Sequence, residues 1–330
     1  MNPVAPRQSG PHVWHGADLD DGDWIWHLDP TDHDEVVTAA RTGNHHLPGV
    51  GPKLDALAAR LTHGRGFELI RGLDVATIGP ELAADALLTI GRRLGSLRSQ
   101  NAAGDLLGQV RNAGLDAANP DVRIYQTNQR QTFHTDSADV VALLCLNEAA
   151  EGGDSMLVSA AAIYNEMFDR DLELAHALFE TVATDRRGEV PAGEDPYFLI
   201  PVLNWYDNAL TVIYQRQYID SAARFDTAPP LTSRQRAALD LFDEIANRPD
   251  MHVSMRLQPG DMQFVHNHSL LHDRTAFTDD PAAPRHLLRL WLSMPGDREL
   301  PPIFASRYGS ITVGDRGGII VEDGVPQRDT

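Results

Sequence analysis

The spacing of apolar and polar residues predicts helices and short strands in alternating groups. Apolar residues such as Leu54, Leu57 and Leu61 recur every three or four positions, which places them on one face of a helix. The first 50 residues lack this periodicity, so we expect an irregular N-terminal wrap or a lid there. Spacing and capping signals predict helices over 52–63, 80–97, 160–183 with a break near Arg170, and 232–247 with a cap at Thr232 or Ser233.

Segments with strand character lie between and after these helices. A turn at Asp207 and Asn208 predicts a hairpin. This order of elements is typical of an α+β fold, an antiparallel barrel or sandwich with helices packed outside. We expect one domain over 1–330, with 296–330 as a C-terminal extension. The predicted strands are 66–70, 123–126, 133–146, 155–158, 204–206, 210–215, 253–257, 262–265 and 285–292.

Composition narrows the class of protein. Apolar residues make up 42% of the 330 residues, enough for a large core, and no apolar run reaches the roughly 18 residues of a membrane span. The polar, acidic N-terminus lacks the order of a secretory signal, and Cys145 is the single cysteine, so we expect a cytoplasmic protein. The formal net charge of −19 makes nucleic acid an unexpected partner. The sequence leaves a homo-oligomer open.

Two histidines and one acid form a candidate metal site. On a strand, His134 and Asp136 would project to the same face, where an imidazole and a carboxylate can share an ion. A second imidazole must come from a distant segment, which offers His266, His268 and His272. Two imidazoles and one carboxylate leave open coordination positions that suit Fe(II), although zinc accepts the same ligands. The spacing alone does not choose among the three later histidines.

Two arginines on the last predicted strand indicate an anion site. Arg285 and Arg289 share one strand face, and burying both without anions would be unfavourable. A guanidinium matches a carboxylate bidentately, and 2-oxoglutarate carries a distal carboxylate that needs a cation. Ser155 follows a glycine turn and could hydrogen-bond the same carboxylate. The alternative is that the arginines pair with protein acids such as Asp279 or Asp280.

Four short stretches carry the candidate site residues. They are FHTDS at 133–137, EGGDS at 151–155, LHDRTAF at 271–277 and RHLLRLWL at 285–292. Taken together and in this order, they resemble the taurine dioxygenase (TauD/TfdA-like) family of Fe(II)- and 2-oxoglutarate-dependent oxygenases. The similarity spans about residues 65 to 295, and the joint occurrence of the stretches is specific, whereas no single stretch is.

The resemblance implies a double-stranded β-helix, or jelly-roll, core with flanking α-helices. It also implies Fe(II) and the cosubstrate 2-oxoglutarate, with O₂ and a small-molecule substrate as partners. The choice among the three histidines rests on the family's pattern after the second ligand histidine. By matching position, iron is assigned to His134, Asp136 and His272, and the cosubstrate to Arg285, Ser155 and Arg289, with Arg289 nearer the iron-bound end or the substrate.

The implied reaction is hydroxylation of an unactivated C–H bond in a carboxylate- or amino-acid-like metabolite, with release of succinate and CO₂. Desaturation or cyclisation at the same site are alternatives. The presence of Asp136 argues against halogenation, because related halogenating enzymes carry a small residue there. Two other classes stay open: a zinc-dependent hydrolase, which gives Arg285 no clear task, and a non-catalytic scaffold.

Candidate substrate-binding residues are few. Arg274 lies two positions after the third proposed ligand, and a basic residue there favours an anionic substrate. Gln131 flanks the iron motif, although strand alternation places it on the face opposite the proposed ligands. Arg216 and Tyr218 are more typical of surface ion pairs.

Overall fold

The structure of the chain is a computed structural model that describes residues 4–101, 103–116 and 122–319. Among these residues, no helix combines the length and apolar character needed to cross a membrane. The α-helices of the described residues, α1 to α10, are Asp21–Trp24, Pro30–Thr42, Val50–His63, Val75–Ile78, Pro80–Leu94, Ala160–Arg170, Leu172–Ala177, Arg216–Ser221, Ser233–Ala246 and Ala305–Tyr308.

The strands form two principal sheets. The described strands, β1 to β19, are Ile25–His27, Phe67–Arg71, Ser96–Arg98, Leu107–Val110, Gln131–His134, Val140–Asn147, Glu151–Gly152, Ser155–Ser159, Thr181–Asp185, Tyr197–Pro201, Leu203–Tyr206, Ala209–Val212, His252–Met255, Met262–His266, Leu270–Arg274, Phe277–Thr278, His286–Ser293, Ile311–Thr312 and Asp315–Arg316. The larger sheet has the order β1-β2-β14-β6-β17-β3, with β4 also paired to β17, and the smaller sheet has the order β13-β8-β15-β5.

Three apolar layers follow from the alternation of side chains along these strands. Strand β17 shows the division: Leu288 and Leu290 pack against α2, α3 and α5, whereas Leu287 and Trp291 face the smaller sheet. The outer face of the smaller sheet is covered by α6, α7 and α9. Helices therefore flank two facing sheets, which are antiparallel except for the β1–β2 pair, and this confirms the predicted α+β jelly roll. The space between the sheets is where site-facing side chains meet.

Capping and turn signals in the sequence predicted several elements correctly. Helix α9 begins after Thr232, whose hydroxyl accepts from the Gln235 backbone N–H while the Gln235 side chain returns to Thr232. The hairpin of β11 and β12 turns at Asp207 and Asn208, whose φ values of 46° and 60° fit a two-residue turn with the twist of its strands. The predicted break near Arg170 is also present, because α6 ends there and α7 follows.

The prediction that the first 50 residues form irregular structure was wrong. Helix α2 begins at Pro30 after Asp29, whose carboxylate caps the Asp32 backbone N–H. Strand β1 pairs in parallel with β2, so this segment is part of the larger sheet. Short polar stretches concealed the pattern, since β1 has only three residues and α2 has a weak apolar face.

Three other predicted elements need correction. Residues 124–126 form a 3₁₀ turn rather than a strand. The predicted strand 133–146 is two strands, β5 and β6, which belong to different sheets. The predicted helix 160–183 ends at Ala177, and Thr181–Asp185 is a strand paired with Tyr197–Pro201. In the last two places, tertiary pairing overrides local propensity.

The described part of the C-terminal extension packs back onto the sheets through a buried charge network. The Arg316 guanidinium donates to Asp139 at 2.7 Å and to Asp297 at 3.1 Å, and all three side chains are buried. The same carboxylates contact His268 and His266. Arg316 is therefore the shared counter-charge of two buried acids of the core. Residues 320–330 lie outside the described residues.

We expect Arg316→Ala to lower the free energy of unfolding by about 3–5 kcal/mol, because it leaves two buried carboxylates without their cation. Urea unfolding followed by circular dichroism measures this. Arg170→Ala is the matched control: its pair with Glu244 is about half exposed, so a loss below about 1 kcal/mol is expected. Equal losses in the two variants would contradict the role given to Arg316.

Candidate active site

Three proposed metal ligands converge between the two sheets. His134 ends strand β5 and pairs in register with His272 of β15. The Asp136 carboxylate lies 4.0 Å from His134 Nε2 and 3.9 Å from His272 Nε2. One ligand atom from each residue lies within 4.8 Å of the others. Two metal–ligand bonds near 2 Å reach at most about 4 Å, so a small inward movement of these side chains would let all three share one ion.

Asp136 reaches this position from a loop rather than from the strand. The chain leaves β5 after His134, and the Asp136 backbone N–H donates to Asn267 Oδ1 at 3.2 Å. Its carboxylate accepts from Arg289 Nη1 at 3.0 Å and from Trp291 Nε1 at 2.8 Å. The expected strand alternation of His134 and Asp136 was therefore wrong, although the two side chains do meet.

The ionisation states of the three residues suit a divalent metal. Burial lowers the pKa of His134, and it lowers the pKa of His272 to about 3, so both imidazoles are neutral near pH 7. Burial alone would raise the pKa of Asp136, but Arg289 and the two imidazoles outweigh it and hold that pKa below its ordinary value. His134 Nδ1 donates to the Thr132 carbonyl at 2.8 Å, which turns its Nε2 lone pair toward the site. Neutral imidazole and ionised carboxylate are the ligand forms.

The other two candidate histidines lie elsewhere. His266 contacts Asp297 at 3.0 Å and His268 contacts Asp139 at 2.8 Å. Asp139, His268 and Asp297 would themselves satisfy the geometry of a metal cluster. The Arg316 guanidinium already bonds both carboxylates there, so this cluster is a structural network of ion pairs.

Behind the proposed ligands is a pocket, here called the inner pocket, that contains Arg285 and Arg274. Both side chains are buried, at 4% and 8% exposed. Arg285 Nη2 donates to the Gly153 carbonyl at 3.3 Å, whereas its buried Nη1 has no hydrogen-bond partner among the described residues. Asp279 accepts from the Arg285 backbone N–H, and within the described chain neither Asp279 nor Asp280 forms an ion pair with the guanidinium.

Burial makes the charges of the inner pocket unfavourable without an anion. It lowers the pKa of Arg274 to about 9, and the neighbouring Arg285 adds to this effect. Burial likewise lowers the pKa of Arg285 to about 10. An anionic group beside Arg285 would supply the missing partner of its Nη1 atom. The donor set therefore fits a carboxylate such as the distal one of 2-oxoglutarate.

Ser155 lines the inner pocket together with Arg285 and stands opposite Arg274 across strands β8 and β15. Its hydroxyl accepts from Gln263 Nε2 at 2.9 Å, which holds it in place. Arg289 lines the inner pocket as well as the pocket in front of the ligands.

Arg274 lies with the proposed cosubstrate residues. Its guanidinium donates to the carbonyls of Thr127 and Gln129 and lies over the ring of Phe277 at 4.7 Å. These contacts fix the segment before β5 beside the inner pocket. The structure thus places Arg274 away from the pocket in front of the ligands, where a substrate is expected.

Gln131 faces the ligands despite the predicted alternation. His272 and Arg274 of β15 stand opposite His134 and Gln131, so two steps on β15 match three on β5. The extra residue is a β-bulge, which turns a side chain to the other face of its strand. As a result, Gln131 Nε2 lies 2.8 Å from His134 Nε2, and Gln131 lines both pockets.

The pocket in front of the ligands, here called the outer pocket, encloses about 680 Å³ including its open mouth. His134 and Asp136 form part of its wall. The sequence pattern did not predict most of the basic residues of the outer pocket. They come from three separate segments that are brought together only by the fold. The adjacent pair Arg186-Arg187 was the available signal. The arginines among the described lining residues are Arg123, Arg186, Arg187, Arg289 and Arg307.

A jelly roll with two histidines and a carboxylate beside a buried arginine pocket is typical of the Fe(II)- and 2-oxoglutarate-dependent oxygenases. The sequence profile of the family "Taurine catabolism dioxygenase TauD, TfdA family" matches residues 32–291. The chain belongs to this family, which confirms the resemblance found in the sequence. It is a dioxygenase, an oxidoreductase that uses Fe(II) and 2-oxoglutarate. The zinc-hydrolase alternative is therefore set aside.

Relatives and solved structures agree with this assignment. The chain is 34% identical over 325 residues to FR-33289 synthase of Streptomyces rubellomurinus (strain ATCC 31215), covering 91% of this chain and 95% of the relative. It is 28% identical to a uridine-5'-phosphate dioxygenase of Amycolatopsis sp, over 68% of this chain and 83% of that protein. Its fold matches asparagine oxygenase in complex with Fe(II), 2S,3S-3-hydroxyasparagine and succinate, with TM-score 0.61, 19% identity, and coverage of 82% and 93%.

We expect Asp136→Ala to weaken Fe(II) binding by at least about 100-fold, because losing a ligand should exceed the effect of losing a residue that only orients one. Anaerobic isothermal titration measures the affinity. Asp34→Ala removes a carboxylate that is 83% exposed and should leave the affinity unchanged. Wild-type affinity in Asp136→Ala would remove Asp136 from the ligand set.

Arg285→Gln should raise the Kd for 2-oxoglutarate by at least about 30-fold, which corresponds to a loss of ~2 kcal/mol for a buried charge-assisted pair. Titration of the anaerobic Fe(II) protein gives this constant. Arg256→Gln, at an arginine whose side chain is 49% exposed, serves as the control. An unchanged Kd in Arg285→Gln would place the distal carboxylate elsewhere.

Proposed function

We propose that the enzyme hydroxylates an unactivated C–H bond of a small anionic metabolite and releases succinate and CO₂. The observation that carries this proposal is that the inner and outer pockets meet at the proposed ligands. Gln131, His134 and Arg289 line both pockets. A cosubstrate held from one side and a substrate held from the other would therefore meet at the same ion.

The proposed division of labour follows from the contacts. Arg285 binds the distal carboxylate in the inner pocket, and the Ser155 hydroxyl lies beside it. His134, Asp136 and His272 hold Fe(II), which with 2-oxoglutarate and O₂ supplies the oxidant that removes a hydrogen atom from carbon. The protein supplies positioning and excludes water from buried ligands.

Arg289 holds the Asp136 carboxylate in position and is itself fixed by several contacts. Its Nε donates to Gln100 Oε1 at 2.7 Å, and its guanidinium lies over the rings of Tyr125 and Trp291. A residue held this firmly is suited to orient Asp136 and the near end of the cosubstrate. Gln131 must release His134 Nε2 when a metal binds that atom, which frees its amide to contact a substrate.

The substrate class is proposed as anionic because of the outer pocket and the relatives. Arginines line that pocket, and an anion is the partner that buried guanidinium groups require. Some relatives are named for uridine 5'-phosphate, and a structural neighbour holds a hydroxylated amino acid. Both kinds of molecule carry an anionic group, in agreement with a carboxylate- or amino-acid-like substrate or a phosphate-bearing one.

The test begins with the protein alone. Anaerobic addition of Fe(II) and 2-oxoglutarate should produce a weak visible charge-transfer band that requires both additions and is lost in Asp136→Ala. Candidate anionic metabolites are then scored by succinate release. With isotopically labelled O₂, one labelled oxygen atom should enter the product and one the succinate. A product that loses two hydrogens and gains no oxygen would instead show desaturation and would contradict hydroxylation.

A further inference from the structure

The wall of the outer pocket carries positive charge for which the proposed iron chemistry has no use. Arg123 precedes the 3₁₀ turn Ile124–Gln126, Arg187 follows strand β9, and Arg307 lies in helix α10. Three distant segments thus bring guanidinium groups to one cavity. The chain as a whole carries a formal charge of −19, so this basic pocket contrasts with its acidic composition. A cleft lined by positive charge raises the local concentration of anions.

Acidic residues of the same pocket do not balance these arginines. Asp185 is paired to Arg224, whose Nε lies 3.0 Å from its carboxylate. Glu189 forms an ion pair with Arg123, and its other oxygen lies 3.9 Å from Arg307 Nη2. That second oxygen is buried and has no hydrogen bond among the described residues. The single Glu189 carboxylate is therefore the counter-charge of both Arg123 and Arg307.

Arg187 is held in an unusual conformation that directs its side chain into the pocket. Its φ of 53° lies in the left-handed region, which a non-glycine residue rarely adopts. The Asp185 carboxylate accepts its backbone N–H at 2.7 Å, and the guanidinium lies over the Tyr218 ring at 5.1 Å. Its buried Nε atom has no hydrogen-bond partner among the described residues. Strain of this kind is typical of ligand-binding positions.

Arg307 occupies the wall next to the proposed iron ligands. Its Nε donates to Ser137 Oγ at 2.8 Å, and Ser137 directly follows Asp136. Burial lowers the pKa of the Arg307 guanidinium, and the charge of Arg123 adds to this despite Glu189. An anion that entered between Arg307 and Arg187 would offset both the cost of burying the Arg307 charge and its repulsion by Arg123.

We propose that Arg187 and Arg307, with Arg123 behind them, bind a phosphoryl group of the substrate and hold its carbon chain over His134 and Asp136. This assignment rests on the proposed function and names the substrate class of the same site. A phosphate ester and a phosphonate share the chemistry that these residues would recognise.

The number and directions of the donors favour a phosphoryl group over a carboxylate. A carboxylate is planar, carries one charge, and is satisfied by a single bidentate guanidinium. A phosphoryl group carries close to two charges and three acceptor oxygens, which need donors from several directions. Arg187 and Arg307 approach from different segments, and each has donor capacity beyond its protein contacts.

The test uses three small methyl-bearing anions: methylphosphonate, methyl phosphate and acetate. Each is titrated into the anaerobic protein with Fe(II) and saturating 2-oxoglutarate, which keeps the inner pocket filled. We expect Arg187→Gln and Arg307→Gln each to weaken binding of the phosphoryl probes by at least about tenfold, and acetate to bind more weakly than either. The tighter phosphoryl probe identifies the ester or the phosphonate as the source.

Two further variants keep the result interpretable. Arg236→Gln, at a residue whose side chain is 56% exposed, should bind the probes as the wild type does. Arg187→Lys keeps the charge but not the planar fork, so partial recovery separates recognition from misfolding. Circular dichroism establishes that each variant is folded.

The outcomes distinguish this proposal from the function on which it rests. Acetate binding as tight as phosphoryl binding, or phosphoryl binding unchanged in both glutamine variants, would overturn it. Loss of phosphoryl binding in Arg285→Gln alone would place the anion in the inner pocket and also overturn it. Titration without Fe(II) and 2-oxoglutarate completes the comparison: arginine-dependent phosphoryl binding in a protein that binds no 2-oxoglutarate would support the anion site and contradict the proposed function.

Discussion

The site depends on one carboxylate that joins the two sheets. Asp136 follows a strand of the smaller sheet, and its carboxylate accepts hydrogen bonds from Arg289 and Trp291 in strand β17 of the larger sheet. An ionised acid in this largely buried place needs such donors. Because Arg285 immediately precedes the same strand, the register of β17 sets the separation between the metal position and the inner pocket. The proposed iron and cosubstrate positions are thus coupled through the backbone of a single strand.

The sequence was informative where a local pattern matched the final environment. Strand alternation from 285 to 292 correctly put Arg285 and Arg289 on one face, because β17 keeps its alternation despite a bulge in its partner β6. The same rule failed for Gln131, since a bulge in β5 arises from pairing with a distant strand and leaves no local signal. Asp136 reached the expected place by a different route, as part of a loop.

Most of the outer pocket could not be predicted from the sequence. Arg123 adjoins a turn that resembled a strand, and Arg187 follows a strand that was assigned to a helix. Arg307 lies in the C-terminal extension, whose position depends on the buried pairing of Arg316 with two acids. These residues meet only through tertiary packing.

The charge of the pocket arginines acts on a substrate over a short distance. Because screening at physiological salt extends over about 8 Å, these arginines attract an anion near the mouth of the pocket rather than at long range.

The network around Arg316 has a consequence for the order of events during synthesis. Asp139 directly precedes strand β6, and Asp297 comes more than 150 residues later along the chain. Both pair with Arg316, which lies close to the last described residue. A nascent polypeptide that had emerged only as far as residue 300 would hold these acids without their counter-charge. The stabilisation that Arg316 gives the sheets therefore becomes available only once residue 316 has left the ribosome, late in translation.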